Sequence, residues 1–159
     1  MSRNLKEKTL TSEMQAASIS ATEKEAPASL DLAEFDERIL LALHSAAEKK
    51  AADLTVLDLR GVASFTDFFV ITSGANKRQV QAISDEVVEQ SKKRGNRAAR
   101  VEGYQSAEWI LVDYGDFIVH VFDDRARRFY DLERLWRQAR RIDVSPEQLE
   151  RIGSLRKES

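Results

Sequence analysis

The chain has 159 residues, 42% apolar and 33% charged, which suits one packed domain of ~100–200 residues with appendages and excludes disorder throughout. Lys plus Arg number 25 against 27 Asp plus Glu, a formal net charge of −2, which argues against a protein held to nucleic acid by bulk charge alone. The absence of cysteine excludes disulfides, thiol nucleophiles and thiolate metal sites, and no run approaches the ~20 apolar residues of a membrane helix.

Residues 1–30 carry Ser, Thr, Ala and charge without strong periodicity, and Pro27 interrupts them. They lack the apolar surface to offset the entropy of ordering, so they read as a flexible N-terminal arm. The opening residues hold no signal-peptide apolar stretch, and Glu7, Glu13, Glu23 and Glu25 speak against a transit peptide. The expected compartment is the cytoplasm, with no membrane partner.

Asp31 followed by Glu34 predicts a capping box, and Phe35, Ile39, Ala42, Leu43 and Ala46 recur at helical spacing. This helix should end near Lys49–Ala52, with His44 on its solvated face. Two strands follow. Leu54–Leu59 is β-branched and apolar. Phe65–Ser73 carries large apolar residues in both alternate sets, which predicts a central strand covered on both faces. After Gly74, Asn76 and Gln79 predict a helix start, Val80, Ile83 and Val87 its buried stripe, and Lys92, Lys93, Arg94 and Gly95 its end.

Ala98–Glu102 is a weak strand. Trp109–Asp113 and Phe117–Phe122 flank Tyr114-Gly115 and predict a hairpin, with Asp113 and Asp116 bonding backbone N–H groups at the turn ends. Leu132, Leu135, Trp136 and Ala139 predict a last core helix from about Asp131, so the core domain spans residues 31–142. Residues 143–159 form a tail, in which Ser145-Pro146-Glu147-Gln148 opens a short helix that Gly153 can end. The order of elements points to an α/β (α+β) domain with one mixed β-sheet of about five strands flanked by helices.

Candidate chemistry is sparse. Asp58, Asp67, Asp113, Asp116, Asp123 and Asp124 lie in or near strands, but no Asp-x-Asp pair sits on one strand face, and turn or surface roles explain them better than a metal-holding pair. His120 shares a strand face with Ile118 and Phe122 and reads as a core or interface histidine, since no nucleophile or polar partner stands out for a general base. Ser73-Gly74-Ala75-Asn76 lacks the glycine spacing and lysine of a P-loop. No cofactor or metal is expected. One basic cluster holds Lys92, Lys93, Arg94, Arg97 and Arg100. The other, Arg125, Arg127, Arg128, Arg134, Arg137, Arg140 and Arg141, interleaves with Phe129, Tyr130 and Trp136. Arg with aromatic residues suits a protein interface, RNA contact or a plain solvated helix face, and composition leaves these even. Trp109 opens a strand beside Ser106 and Glu108 and tips toward an exposed anchor.

The runs DLRGVASFTDFFVITSGANKRQVQAISDEVVE and VEGYQSAEWILVDYGDFIVHVFDDRARRFYDLERLW closely resemble the ribosomal silencing factor family, also called the Iojap family. The telling pieces are Thr66-Asp67-Phe68-Phe69, Arg78-Gln79, Glu102-Gly103, Trp109 with Asp113-x-Gly115-Asp116, Val119-His120-Val121-Phe122, and Arg128-x-Tyr130-x-Leu132-Glu133-x-Leu135-Trp136. A tyrosine usual in the family is Phe68 or Phe69 here. The resemblance covers about residues 34–138 and leaves both arms outside it.

The resemblance implies a non-enzyme whose mixed sheet and helices are similar to nucleotidyltransferases without their catalytic acids. It implies docking on the large ribosomal subunit through its ribosomal protein number fourteen, a steric block to joining with the small subunit, and lowered translation under nutrient limitation. Family binding positions fall on Trp109, Tyr130, Leu132 and Glu133, with Arg128 beside them. Aromatic anchors would supply desolvated area, and the glutamate would pair with a basic ribosomal protein. Contact of the Arg-rich segment with ribosomal RNA, and pairing of two free copies through exposed aromatics, are further partner expectations. A metal-dependent nucleotidyl or phosphoryl transferase on the same fold is the alternative.

Overall fold

The computed structural model describes residues 35–158, with side chains through Ile152. The elements run α1 (Glu37–Glu48), β1 (Ala52–Asp58), β2 (Phe68–Gly74), α2 (Lys77–Lys93), β3 (Arg100–Glu102), β4 (Trp109–Asp113) and β5 (Phe117–Asp123). They continue with α3 (Asp124–Tyr130), α4 (Leu132–Leu135), β6 (Arg140–Asp143) and α5 (Pro146–Glu158).

One six-stranded sheet has the order β3-β4-β5-β2-β1-β6. β2 and β5 pair in parallel at its centre, and every other neighbouring pair is antiparallel. The mixed α/β class read from the element order is the observed one. Dense apolar runs predict central strands because both their faces must be covered, and β2 and β5 are covered on both. On one face Val56, Val70, Ile110, Val112, Val119 and Val121 pack with Ile39, Leu43, Val80, Ile83 and Val87 of α1 and α2 and with Leu149 and Ile152 of α5. On the other face Leu57, Phe69, Ile71, Leu111, Ile118 and Phe122 meet Trp109, Ala126, Leu132 and Trp136. Among the described residues no long helix covers this second face; α3, α4 and the 59–65 loop do. Each fully buried large side chain contributes ~1.5–3 kcal/mol, and both layers are rich in them.

The helix signals of α2 act as read. Asn76 accepts the Gln79 N–H at 2.9 Å, and the Gln79 side chain accepts the Ala75 N–H at 2.7 Å. Gly95, at φ +83°, donates its N–H to Lys92 O at 3.0 Å while Asn96 donates to Ser91 O at 2.9 Å, the bond pair of a left-handed helix stop. In α5 the Ser145 hydroxyl accepts the Gln148 N–H and the Gln148 side chain accepts the Ser145 N–H.

Several boundaries differ from the sequence reading. The Asp31–Glu34 capping pair and the 1–30 arm lie outside the described residues. The cap of α1 is Asp36, whose carboxylate accepts the Arg38 N–H at 2.8 Å. His44 is half-buried instead of lying on a solvated face. β2 starts at Phe68, three residues late. The Thr66 hydroxyl donates to Gly115 O and the Asp67 N–H to Asp116 O, which ties 66–67 to the hairpin turn instead of the ladder.

The largest correction concerns 131–143. Asp131 adopts the left-handed conformation at φ 48° and divides the expected last helix, leaving α3 before it and the single turn α4 after it. The stretch beyond becomes a sixth strand, paired antiparallel with β1 from Asp58↔Arg140 to Thr55↔Asp143. The open edge of β1 supplies hydrogen-bond partners that local helical preference cannot match. Likewise, α5 runs through Gly153 to Glu158. Val144, Leu149 and Ile152 of the expected tail are core residues.

Candidate docking ridge

α3 starts where β5 leaves the sheet. The Asp123 carboxylate accepts the Ala126 N–H at 2.7 Å, and Asp124 in the first turn favours the helix dipole. Seven residues later the chain bends at Asp131. Its carbonyl accepts the Arg134 and Leu135 N–H groups, both at 3.1 Å, which starts α4. Ala126, Leu132 and Trp136 face the second core layer, so the two short helices form an elbow whose opposite side meets solvent.

An aromatic ladder climbs from the sheet to this elbow. Trp109 stacks on Phe122 with ring centroids 5.0 Å apart and meets Tyr130 at 4.7 Å. Phe129 stands edge-on to Tyr130 at 5.1 Å. Exposure rises steeply along it. Trp109 is 3% exposed, Tyr130 is half-buried and Phe129 is 77% exposed. The Trp109 indole N–H donates to His120 Nδ1 at 3.0 Å, so that nitrogen carries no proton and the imidazole holds the indole in place. His120 is therefore the core histidine that its strand position suggested.

Trp109 corrects the reading of an exposed anchor. It is a core plug that backs Tyr130. Leu132 is also buried. Glu133 is nearly buried and already engaged, with Oε1 2.7 Å from Nη2 of Arg127 and 2.8 Å from its Nε. Arg127 also donates to Asp53 O at 2.8 Å and to the Thr55 hydroxyl at 3.2 Å, which ties the elbow to the start of β1. The fold thus gathers Trp109, Arg128, Tyr130, Leu132 and Glu133 at one corner, but only Arg128 is exposed there and Tyr130 partly so. The sequence reading did not single out Phe129 as a site. Its signal was the 125, 128, 129 spacing of one helix face, which becomes readable only when 124–130 is seen as a helix.

The strand-associated acids are occupied elsewhere. Asp58 is buried and accepts from Arg60 Nη2 at 2.8 Å. Asp113 pairs with Arg100 and accepts the Gly115 N–H at 2.8 Å. Asp116 pairs with Arg38. The Arg38 guanidinium also holds Asp36 below the usual carboxylate range through a side-chain hydrogen bond, against a smaller upward push from burial. Among the described residues no cluster of three His, Cys, Asp or Glu side chains is placed to hold a metal ion. Among them, too, no helix is long and apolar enough to cross a membrane.

A groove of about 750 Å³ adjoins the elbow and is lined by Arg127, Arg128 and Arg141 together with Asp53, Asp131, Glu133 and Asp143. Its opposite charges are largely paired, with Arg127 on Glu133 and Arg141 on Asp143.

Residues 32–158 match the family model described as ribosomal silencing factor during starvation. The ribosomal silencing factor of Halalkalibacterium halodurans is 38% identical over 108 residues, covering 68% of this chain and 92% of that protein. A mouse protein named mitochondrial assembly of ribosomal large subunit protein 1 is 31% identical over 107 residues, covering 65% of this chain and 46% of its own length. The crystal structure of protein CV0518 from Chromobacterium violaceum superposes with a TM-score of 0.62 at 35% identity, covering 63% of this chain and 83% of that one.

Proposed function

This chain belongs to the ribosomal silencing factor family, and on that premise we propose that it docks on the large ribosomal subunit and blocks joining with the small subunit. The elbow built by Trp109, Arg128, Tyr130, Leu132 and Glu133 is its contact with ribosomal protein number fourteen. Translation in the cytoplasm then falls when nutrients are scarce. The observation that carries the reading is the family match, which runs across 32–158 and includes the whole elbow.

The geometry supports a division of labour at that contact. Phe129, Tyr130 and Arg128 offer the surface. Trp109 and Leu132 stiffen it from below, and Glu133 fixes it through Arg127. Rigid aromatic side chains set on a braced helix lose little entropy on binding, which favours them as interface anchors. A standard interface of ~1,600 Å² is enough for a steric block when the bound body overlaps the small subunit's place. The exposed Phe129 beside Tyr130 also supports pairing of free copies, which sedimentation at rising concentration would read.

The transferase alternative needs two acids converging on a metal. The placement of Asp58, Asp113 and Asp116 on arginines and turn N–H groups favours the binding reading over it. The test is gradient sedimentation of the full chain with isolated large subunits and with joined ribosomes. Comigration with large subunits and a shift toward separate subunits is the expected result, weakened by Tyr130→Ala. A chain that stays at the top of the gradient overturns the proposal.

A further inference from the structure

Arg125, Arg128 and Phe129 fall at i, i+3 and i+4 of α3, so they share one helix face, and all three are exposed. Arg134 and Arg137 fall at i and i+3 through α4 and the turn after it, and both are exposed. The opposite sides of these two segments, Ala126 and Leu132 with Trp136, pack into the same apolar layer. The four arginines and Phe129 therefore point away from one common core, on one side of the molecule.

Among the described residues none of these four arginines makes an ion pair, although Arg38, Arg60, Arg100, Arg127 and Arg141 each do. Two of the acids nearest in sequence are already engaged. Asp123 caps α3 and Glu133 is held by Arg127. Asp131 forms the bend. The result is a surface on which four arginines outside any ion pair accompany one exposed ring, with Asp124 and Asp131 half-buried beside them, inside a chain whose net charge is −2.

We propose that this ridge binds RNA, the arginines holding phosphates of a single-stranded or looped segment and Phe129 stacking on one unpaired base. The inference goes beyond the protein contact proposed above: Arg125, Arg134 and Arg137 lie outside that contact, while Arg128 and Phe129 stand at the junction of the two. Three observations select RNA over an acidic protein surface. A protein hot spot sits in a packed, water-excluding surround, whereas the neighbours of Phe129 on its helix face are arginines and the ring is 77% exposed. An exposed planar ring, its edge against Tyr130 and arginines on its helix face, is what base stacking with phosphate contact requires. The charges are four and unpaired, matching a repeating anion more than a single carboxylate. The other basic cluster lacks these features. Lys93 pairs with Glu89 and Arg100 with Asp113, Lys92 and Lys93 complement the end of α2, and the exposed apolar residue there is Val101.

The test uses the full chain and fluorescence anisotropy with a labelled mixed-sequence single-stranded RNA of about twelve nucleotides, within the range of known single-strand sites. A duplex RNA of the same length and a polyglutamate peptide serve as comparisons. The single strand is expected to bind best. Its affinity should fall with salt at a log–log slope of about −3, from four phosphate contacts at ~0.7 each. Arg134→Gln with Arg137→Gln should roughly halve that slope. Phe129→Ala should weaken binding about tenfold with the slope unchanged, and Phe129→Trp should restore it. Thermal melts of the variants should match the parent, since every substituted side chain is exposed. Failure of the single strand to bind at ~50 mM salt overturns the inference. So does equal binding of polyglutamate with no effect of Phe129→Ala, which would assign the ridge to an acidic protein instead. The assay contains no ribosomes, so failure of this inference and failure of subunit docking are separate results.

Discussion

Trp109→Ala separates a core plug from a surface anchor. The indole is 3% exposed, stacked on Phe122 at 5.0 Å, tilted against Tyr130 at 4.7 Å, and donates to His120. Truncating a buried tryptophan costs ~3–5 kcal/mol, and leaving a buried acceptor without its donor adds ~1–3 kcal/mol. Against a total stability of ~5–15 kcal/mol, a loss near 5 kcal/mol is a large share. At ~2–8 °C per kcal/mol, the melting midpoint should fall by 10 °C or more. Urea titration followed by far-UV circular dichroism measures this directly. The expected curve has a much lower midpoint and an unchanged slope, with Trp109→Phe in between because it keeps one aromatic ring in the stack while losing the N–H and part of the indole's volume. Subunit binding by Trp109→Ala should fall together with stability, whereas Tyr130→Ala should lose binding at a smaller cost to the fold. A loss under 1 kcal/mol for Trp109→Ala would refute the plug and return the residue to the surface role that its sequence position suggested.

Removing either member of the Arg127–Glu133 pair should cost ~3–5 kcal/mol, because each leaves a nearly buried charge alone; the double change Arg127→Met with Glu133→Leu should recover most of it, and a double-mutant cycle by urea titration decides. Gly95→Ala meets no atom within 4 Å but forces φ +83° on a side chain, so a loss of ~1 kcal/mol is expected from backbone strain alone; an unchanged thermal melt would contradict the left-handed stop. Asp36 and Asp143 sit below the usual carboxylate range when folded, Asp36 through its hydrogen bond from Arg38, and Asp143 because its burial, which pushes upward, is outweighed by hydrogen bonds from Arg141 and Thr55 together with the nearby charges of Arg141 and Arg127. Their folded forms bind protons less readily than the unfolded chain, so their stabilisation is complete above the unfolded carboxylate range near ~4 and is lost as pH falls through the lower folded values. Urea midpoints measured from neutral to acid pH should decline in that window, and Asp36→Asn should flatten part of the decline.

Much of the domain was legible in the residues because periodicity and capping are local. Val80, Ile83 and Val87 could only face inward once Asn76 and Gly95 had set the ends of α2. The two apolar sets of 65–73 could only mean a strand covered twice, and the hairpin followed from Tyr114-Gly115 between two alternating runs. The same local rules misread 131–143, where Leu132, Leu135, Trp136 and Ala139 do face the core as their spacing implied, but over one helical turn and a bend. What decided that stretch was non-local: the free edge of β1 could satisfy the backbone of Arg140–Asp143, and the left-handed Asp131 let the chain reach it. The candidate site divides in the same way. Family resemblance brought five residues to attention as candidates for an interface. Which of them meet solvent was set by packing, because exposure depends on what the sheet and the elbow place above each side chain. Trp109 went under Tyr130 and Glu133 went to Arg127, while Phe129 was left outside. Sequence by itself determined which faces are apolar and where the helices are capped; only the tertiary contacts decided the sixth strand and which aromatic ring remains in water, since neither is a property of any short run of residues.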